Sequence, residues 1–316
     1  MILYDREHAI QRMNTLAKEG KDFIFIINYK ADGAYVEEYA DINPHELLFD
    51  FPSLSNVPEG ESYSEEAVEW FTEPPTREDY EPRINLVKQR EREGDSYLAN
   101  LTCKIPVRTN LSLHDIFMRS KALYRCWLKE KFVCFSPEIF VRINEEGLIS
   151  SFPMKGTIDA TRPDAEKELM ENKKEAAEHA TIVDLIRNDL SMIAEQVQVK
   201  RYRYVDHLTT NKGEILQTSS KITGQLPTDY RENIGTLLFR LLPAGSITGA
   251  PKLRTMEIID EADGYERGFY TGVMGCYSKG QVDSAVMIRF IDQDDNGQLH
   301  YKAGGGITAQ SNNDDE

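Results

Sequence analysis

Two glutamates, Glu175 and Glu178, stand three residues apart. On a helix that spacing puts both carboxylates on one face. The stretch after them, ATIVDLIRNDL at 180–190, is far more apolar, so this face approaches a core. Carboxylates together there repel unless a cation neutralises them, and oxygen-only donors suit Mg²⁺. A solvated face of a Glu/Lys-rich helix has the same spacing. His179 is adjacent, but EHATIVD lacks the HExxH pattern of zinc proteases.

Other segments could hold an anion. GSITGAPK at 245–252 places small residues ahead of a helix. Backbone N–H groups can converge on an anion there, although a plain junction with Pro251 in the first turn reads the same way. AGGGIT at 303–308 carries three consecutive glycines, whose entropic cost marks the close passage of a ligand or another backbone. Arg289 in AVMIRF reads as part of an apolar strand, and its fork fits a carboxylate, of a ligand or of a structural ion pair. Lys155 in FPMKGT and Glu138 in FSPEIF each lie at a turn beside an apolar strand. A partly desolvated lysine loses basicity and can act as a nucleophile; an exposed turn lysine would look no different. Together these residues suit a Mg²⁺ site with carboxylate-binding loops, in an enzyme acting on a small dianion.

The elements that must position them come mostly as hairpins with helices between. FIFIINY at 23–29 reads as a strand, and Asp32-Gly33 turns it into a second over AYVEEYADI. Residues 51–79, rich in Pro, Ser and Glu, read as a surface excursion, part loop and part short helix. The pattern then predicts a helix at 80–94, a strand at 96–107 and a helix at 112–129. Strands follow at 131–135, 140–143 and 148–156, then one long helix at 164–193 and a strand at 196–206. Helices at 230–242 and 252–262 and a hairpin of strands 270–278 and 282–292 complete the reading. This is α+β with antiparallel sheets, not a doubly wound parallel sheet. Residues 1–79 and 80–316 read as parts of one interlocked domain. No internal repeat, GxGxxG or Walker loop occurs.

The 316 residues carry 37 basic and 53 acidic side chains, a net charge of −16. That field disfavours nucleic acid and anionic membrane, and an anion site needs local basic groups. Cys103, Cys126, Cys134 and Cys276 form no CxxC pair, so zinc is not expected. The first apolar run contains charges, unlike a signal peptide, and no apolar run is long enough to span a membrane. A cytoplasmic setting with reduced thiols is expected.

In order along the chain, GDSYLANLT (94–102), FSPEIF (135–140), PMKGT (153–157), EHATIVDLIRNDL (178–190), GSITGAPK (245–252), DSAVMIR (283–289) and GGGITAQS (304–311) resemble the chorismate-binding enzymes. The first 80 residues resemble a shortened form of that family's N-terminal region. The resemblance implies large antiparallel sheets sandwiched with helices, and chorismate with Mg²⁺ between them. It implies Glu178 as direct metal ligand, with Glu175 acting through water. It implies Glu138 as the acid that protonates a departing ring hydroxyl. Gly156, Thr157, Thr248, Gly249, Arg289, Gly304, Gly305 and Gly306 are implied as substrate contacts. Glu316 matches the first acidic residue of a further segment, EYxE-like in the family, whose second acidic residue is the usual metal ligand and lies beyond this sequence.

Lys155 is similar to the lysine of the family's aminodeoxychorismate synthases (component I), where anthranilate synthases typically carry Ala. The implied reaction joins Lys155 to ring carbon 2 as the carbon 4 hydroxyl leaves; ammonia then enters at carbon 4 and expels the lysine. Leu98 stands where isochorismate and salicylate synthases have a water-activating Lys and aminodeoxychorismate synthases usually Gln. Gln217 and Cys276 stand where His and Tyr are common. No cysteine sits in a glutaminase elbow, so a separate glutamine amidotransferase subunit is expected to supply ammonia. The alternatives are anthranilate synthase component I and, in a different class, a non-catalytic chorismate-binding or regulatory protein.

Overall fold

FIFII at 23–27 is buried at every position, and its alternation says why. In the computed structural model, which describes residues 1–60, 66–210 and 213–314, Phe23, Phe25 and Ile27 face a helical layer, while Ile24 and Ile26 face a second sheet. A strand covered on both faces needs apolar residues of both parities.

The chain begins with β1 (Leu3–Asp5), α1 (Arg6–Lys18), β2 (Phe23–Ile27), β3 (Gly33–Glu38), β4 (Leu47–Asp50) and β5 (Trp70–Thr72). It continues with α2 (Arg77–Arg92), β6 (Leu98–Thr109), α3 (Leu113–Arg119), β7 (Tyr124–Leu128), β8 (Phe132–Ser136), β9 (Ile139–Ile143), β10 (Leu148–Ser151) and β11 (Met154–Asp159). Next come α4 (Ala165–Glu171), α5 (Lys173–Ser191), β12 (Glu195–Thr210), β13 (Gly213–Gln225), α6 (Ile234–Leu241) and α7 (Gly245–Thr248). The last elements are β14 (Gly249–Ala250), α8 (Lys252–Asp263), β15 (Val273–Ser278), β16 (Gln281–Val286), β17 (Phe290–Gln293) and β18 (Leu299–Ile307).

Two antiparallel sheets form. The first runs β1-β3-β2-β15-β16-β9-β10-β13-β11, with β12 on β13; the second runs β14-β6-β18-β17-β8-β7-β4, with β5 on β6. Between them lies a layer that includes Ile24, Phe49, Tyr124, Phe132, Met274 and Phe290. Outside the first sheet, α1, α6 and α8 bury Met13, Leu238 and Ile258 with Phe25. Outside the second, α3 packs Phe117 on Trp127 and Val133. Burial of each such side chain contributes roughly 1.5–3 kcal/mol. Residues 1–50 thus feed both sheets, β1–β3 into one and β4 into the other. No helix among the described residues is long and apolar enough to cross a membrane.

The structure corrects three stretches. The helix expected at 112–129 stops at Arg119. The residues after it form β7, an interior strand bonded to β4 and β8, and two ladders outweigh helical propensity. The long helix at 164–193 breaks at Asn172, whose side chain caps a new helix by accepting the Glu175 N–H. The strand expected at 282–292 is two strands in two sheets. β16 pairs with β15 and β9, whereas β17 pairs with β8 and β18. The chain crosses between sheets at 287–289, and Arg289 there takes a φ of 54°. The α1 helix and the strand β13 have no counterpart in the sequence reading, and the described part of 51–79 holds the short strand β5 and, from Arg77, the first turn of α2.

Candidate active site

At the seam of the two sheets lies a cavity of about 360 Å³. Lys155 enters it from β11, Gly304–Gly306 from β18, and Leu98 and Asn100 from β6. Ser246, Thr248 and Gly249 come from α7 and β14, and Arg289 from the crossing between sheets. Glu138 comes from the link between β8 and β9.

Lys155 Nζ pairs with Glu178 Oε2 at 2.9 Å, and Lys174 Nζ lies 3.9 Å from the other oxygen. The lysine side chain is 26% exposed and the glutamate 14%, so the pair is shielded but not sealed. The Lys155 carbonyl accepts from Thr218 Oγ1, which ties β11 to β13 beneath the amine. Glu178 stands one helical turn before Ile182, which lines the cavity. His179 beside it is buried, with Nε2 2.7 Å from Ser220 Oγ. Glu175 approaches Gly156, where a Cβ would lie 3.0 Å from its Oε2; at a φ of 89° this position favours glycine anyway.

Glu175 and Glu178 present the sparse oxygen donors with which proteins hold Mg²⁺, which keeps several waters. Among the described residues no group of three or more His, Cys, Asp or Glu side chains gathers as a metal site. Glu316 lies outside the described residues. The chemistry of the two carboxylates fits Mg²⁺, and Lys155 occupies the place of a cation on one of them.

Glu138 accepts a hydrogen bond from Ser246 Oγ at 2.5 Å. Burial pushes its carboxyl above the usual range, while the Ser246 hydroxyl and Lys155 pull the other way. A carboxyl whose hold on its proton is strengthened beside a cavity can serve as a general acid. Thr248 is fully buried and donates Oγ1 to the Ala244 carbonyl at 2.9 Å. Gly249 admits no side chain, because a Cβ would sit 1.7 Å from the Leu98 carbonyl oxygen at a φ of 121°.

The glycine run proves to be part of β18. A Cβ on Gly304 would meet the Leu101 carbonyl at 2.5 Å, so this glycine makes room for a neighbouring strand. One on Gly306 would lie 3.4 Å from Lys155 Nζ and 3.1 Å from Leu98 Cδ1, so this glycine leaves space for the amine. Arg289 is exposed at the cavity, not buried in a strand, and forms no ion pair among the described residues. Lys302, in contrast, is buried and bound to Asp292 at 2.6 Å and to the Arg267 carbonyl at 2.9 Å.

The cavity therefore gathers Glu138, Lys155, Thr248, Gly249, Arg289 and Gly304–Gly306. Gly156 and Thr157 do not line it; Thr157 is exposed and accepts from Gln217 Nε2 at 3.3 Å. Cys276 also lies elsewhere, buried between the sheets with Sγ 3.3 Å from Ser53 Oγ. Burial raises all four thiols, Cys276 to about 12, the opposite of what a thiolate nucleophile needs. Asn100 and Lys302 escaped the sequence reading, although Asn100 lies inside GDSYLANLT; the serine of GSITGAPK, Ser246, reads there as a donor to an anion, and its hydroxyl goes to Glu138.

The sequence profile of the chorismate binding enzymes matches residues 3–316. An "Uncharacterized PabA-like protein" of Haemophilus influenzae is 43% identical over 310 residues, 98% of this chain and 93% of its own. Anthranilate synthase component 1 of Acetivibrio thermocellus is 34% identical over 258 residues, 75% of this chain but 49% of its own length. Anthranilate synthase component I of Streptococcus pneumoniae superposes with a TM-score of 0.67 at 26% identity, covering 82% of this chain and 60% of that one. The menaquinone-specific isochorismate synthase of Escherichia coli shares the fold, with a TM-score of 0.71 at 15% identity over 100% of this chain and 80% of that one. By family profile and by near-full-length similarity, the chain belongs to the chorismate-binding enzymes.

Proposed function

We propose that the protein is an aminodeoxychorismate synthase component I, converting chorismate and ammonia to 4-amino-4-deoxychorismate. The observation that carries this reading is the Lys155 amine at the cavity wall, held 2.9 Å from Glu178 and faced by Gly306. An anthranilate-type site needs no amine there.

After giving up a proton to solvent through the open side of the cavity, Lys155 Nζ attacks ring carbon 2 as the neutral amine, the double bonds shift, and the carbon 4 hydroxyl departs as water with a proton from Glu138. Ammonia then forms the new bond at carbon 4, and the bond from carbon 2 to Lys155 breaks as the double bonds return. Arg289, with no ion-pair partner among the described residues, binds a substrate carboxylate. Thr248, Gly249 and the 304–306 glycines give the ring a close-fitting wall. Glu178 and Glu175 would hold Mg²⁺, which supplies neutralising charge to a substrate carboxylate. With every thiol raised by burial, a glutamine amidotransferase partner is the proposed ammonia source.

The test is incubation with chorismate, Mg²⁺ and concentrated ammonium salt, with products identified by liquid chromatography and mass spectrometry. Aminodeoxychorismate that disappears in Lys155→Ala supports the reading. Anthranilate would favour the second reading, anthranilate synthase component I, which the 34% identity to that enzyme also supports. Chorismate binding with no turnover, even with an amidotransferase partner present, would favour a binding protein.

A further inference from the structure

The main chain of Glu138 is well anchored. Its N–H donates to Ser136 Oγ at 3.0 Å, and its carbonyl accepts from the Val286 N–H at 3.1 Å. Neither bond constrains the carboxyl, which lies three side-chain torsions away. Among the described residues, the hydrogen bond on that carboxyl comes from Ser246 Oγ.

The backbone on either side of Ser246 is held by contacts that do not involve Glu138. A Cβ on the preceding Gly245 would lie 3.0 Å from both Asp189 Oδ2 and Leu185 Cδ2, so α7 sits directly against α5. Asp189 in turn pairs with Lys252 Nζ at 2.7 Å, and that amine also donates to the Leu241 carbonyl at 2.8 Å. On the other side, Arg267 Nη1 donates to the Ile247 carbonyl at 3.3 Å. The Ser246 backbone is thus held from both sides independently of Glu138, and its hydroxyl reaches the carboxyl from that anchored position.

We infer that Ser246 is a positioning residue, whose hydroxyl holds the Glu138 carboxyl in the orientation from which it delivers its proton to the departing hydroxyl. The inference rests on the proposed role of Glu138. The charged groups around that carboxyl are Lys155 on β11, Arg289 at the sheet crossing and Lys302 on β18, across the cavity. Behind it, Asp189 on α5 shares a second chamber of about 20 Å³ with Glu138 and Ser246. A hydroxyl that donates to a carboxylate favours its charged form. Removing the Ser246 hydroxyl therefore raises the Glu138 pKa further, as well as freeing its orientation.

The test compares Ser246→Ala with Ser246→Thr, which keeps the hydroxyl. Two readouts are taken: steady-state kinetics with chorismate across pH, and ¹³C NMR titration of the Glu138 carboxyl, assigned by Glu138→Gln. In Ser246→Ala we expect kcat to fall about 10²-fold at nearly constant KM. We also expect the alkaline limb of the kcat profile and the Glu138 titration to move to higher pH. Ser246→Thr should restore most of kcat and the original titration. The inference is overturned if Ser246→Ala matches the wild type in both readouts. It is also overturned if both variants lose activity equally with raised KM and an unmoved titration. A wild type without turnover whose Glu138 titration still moves in Ser246→Ala would defeat the proposed reaction and leave the positioning role intact.

Discussion

Lys155 and Glu178 share one ion pair, so the proposed nucleophile and the proposed metal ligand neutralise each other across 2.9 Å. The lysine comes from the first sheet and the glutamate from the helix that packs on it, which makes the pair a joint between two layers. In Lys155→Ala, formation of aminodeoxychorismate should fall by roughly 10³-fold or more, as for other covalent nucleophiles. The same variant frees the Glu178 carboxylate from a competing cation, so it should bind Mn²⁺, a spectroscopic substitute for Mg²⁺, more tightly than the wild type. Titration followed by electron paramagnetic resonance measures this; weaker binding in the variant would remove Glu178 from the metal site.

Arg289 is proposed to meet a substrate carboxylate. Losing a charge-assisted hydrogen bond costs about 1.5–3 kcal/mol, so Arg289→Ala should weaken chorismate binding about 10- to 100-fold. Because the side chain is exposed and without an ion pair among the described residues, the melting temperature should hardly move. Calorimetric titration with chorismate checks the first expectation and thermal denaturation the second. An unchanged affinity would assign the carboxylate to another group.

Gly249 and Gly306 should fail differently when given a side chain. Gly249→Ala forces a Cβ to 1.7 Å from a carbonyl oxygen at a φ of 121°, and backbone strain with overpacking should cost about 3 kcal/mol or more of stability. Gly306→Ala meets only the ends of two side chains, at 3.1 and 3.4 Å. It should leave the denaturation midpoint nearly unchanged while lowering turnover, because the added methyl crowds Lys155. Urea denaturation alongside kinetics separates the two.

Glu91 on α2 is buried, and among the described residues neither of its oxygens has a well-formed hydrogen bond. Burial pushes its carboxyl up from 4.5 to about 8, the nearby Ala99 amide offsetting only part of the effect. The folded state therefore binds this proton more tightly than the unfolded state. The stabilisation is fully present below about pH 4.5 and is lost as pH rises through about 8. Over that window its loss should cost a few kcal/mol. Glu91→Gln should have a flatter stability profile between these limits and be the more stable protein at pH 9. Parallel profiles for the two proteins would mean that water reaches the carboxyl.

Periodicity and local chemistry determined much of this protein. Both parities of FIFII announce a doubly covered strand, the Asp32-Gly33 turn sets the first hairpin, and Glu175 and Glu178 announce a shared helical face. The motifs around Glu138, Lys155, Thr248 and Gly304–Gly306 point to the family and to most of the cavity wall. These signals are legible because side-chain period and turn residues act within a few positions of the chain. Tertiary structure alone decided that residues 124–128 are a strand, since two neighbouring ladders claim a segment of mixed propensity. It alone divided 282–292 between two sheets and left Arg289 at the crossing, free to face the cavity. The meeting of Ser246 with Glu138, 108 residues apart, is likewise a matter of how sheets and helices stack, and no local pattern encodes such long-range pairing.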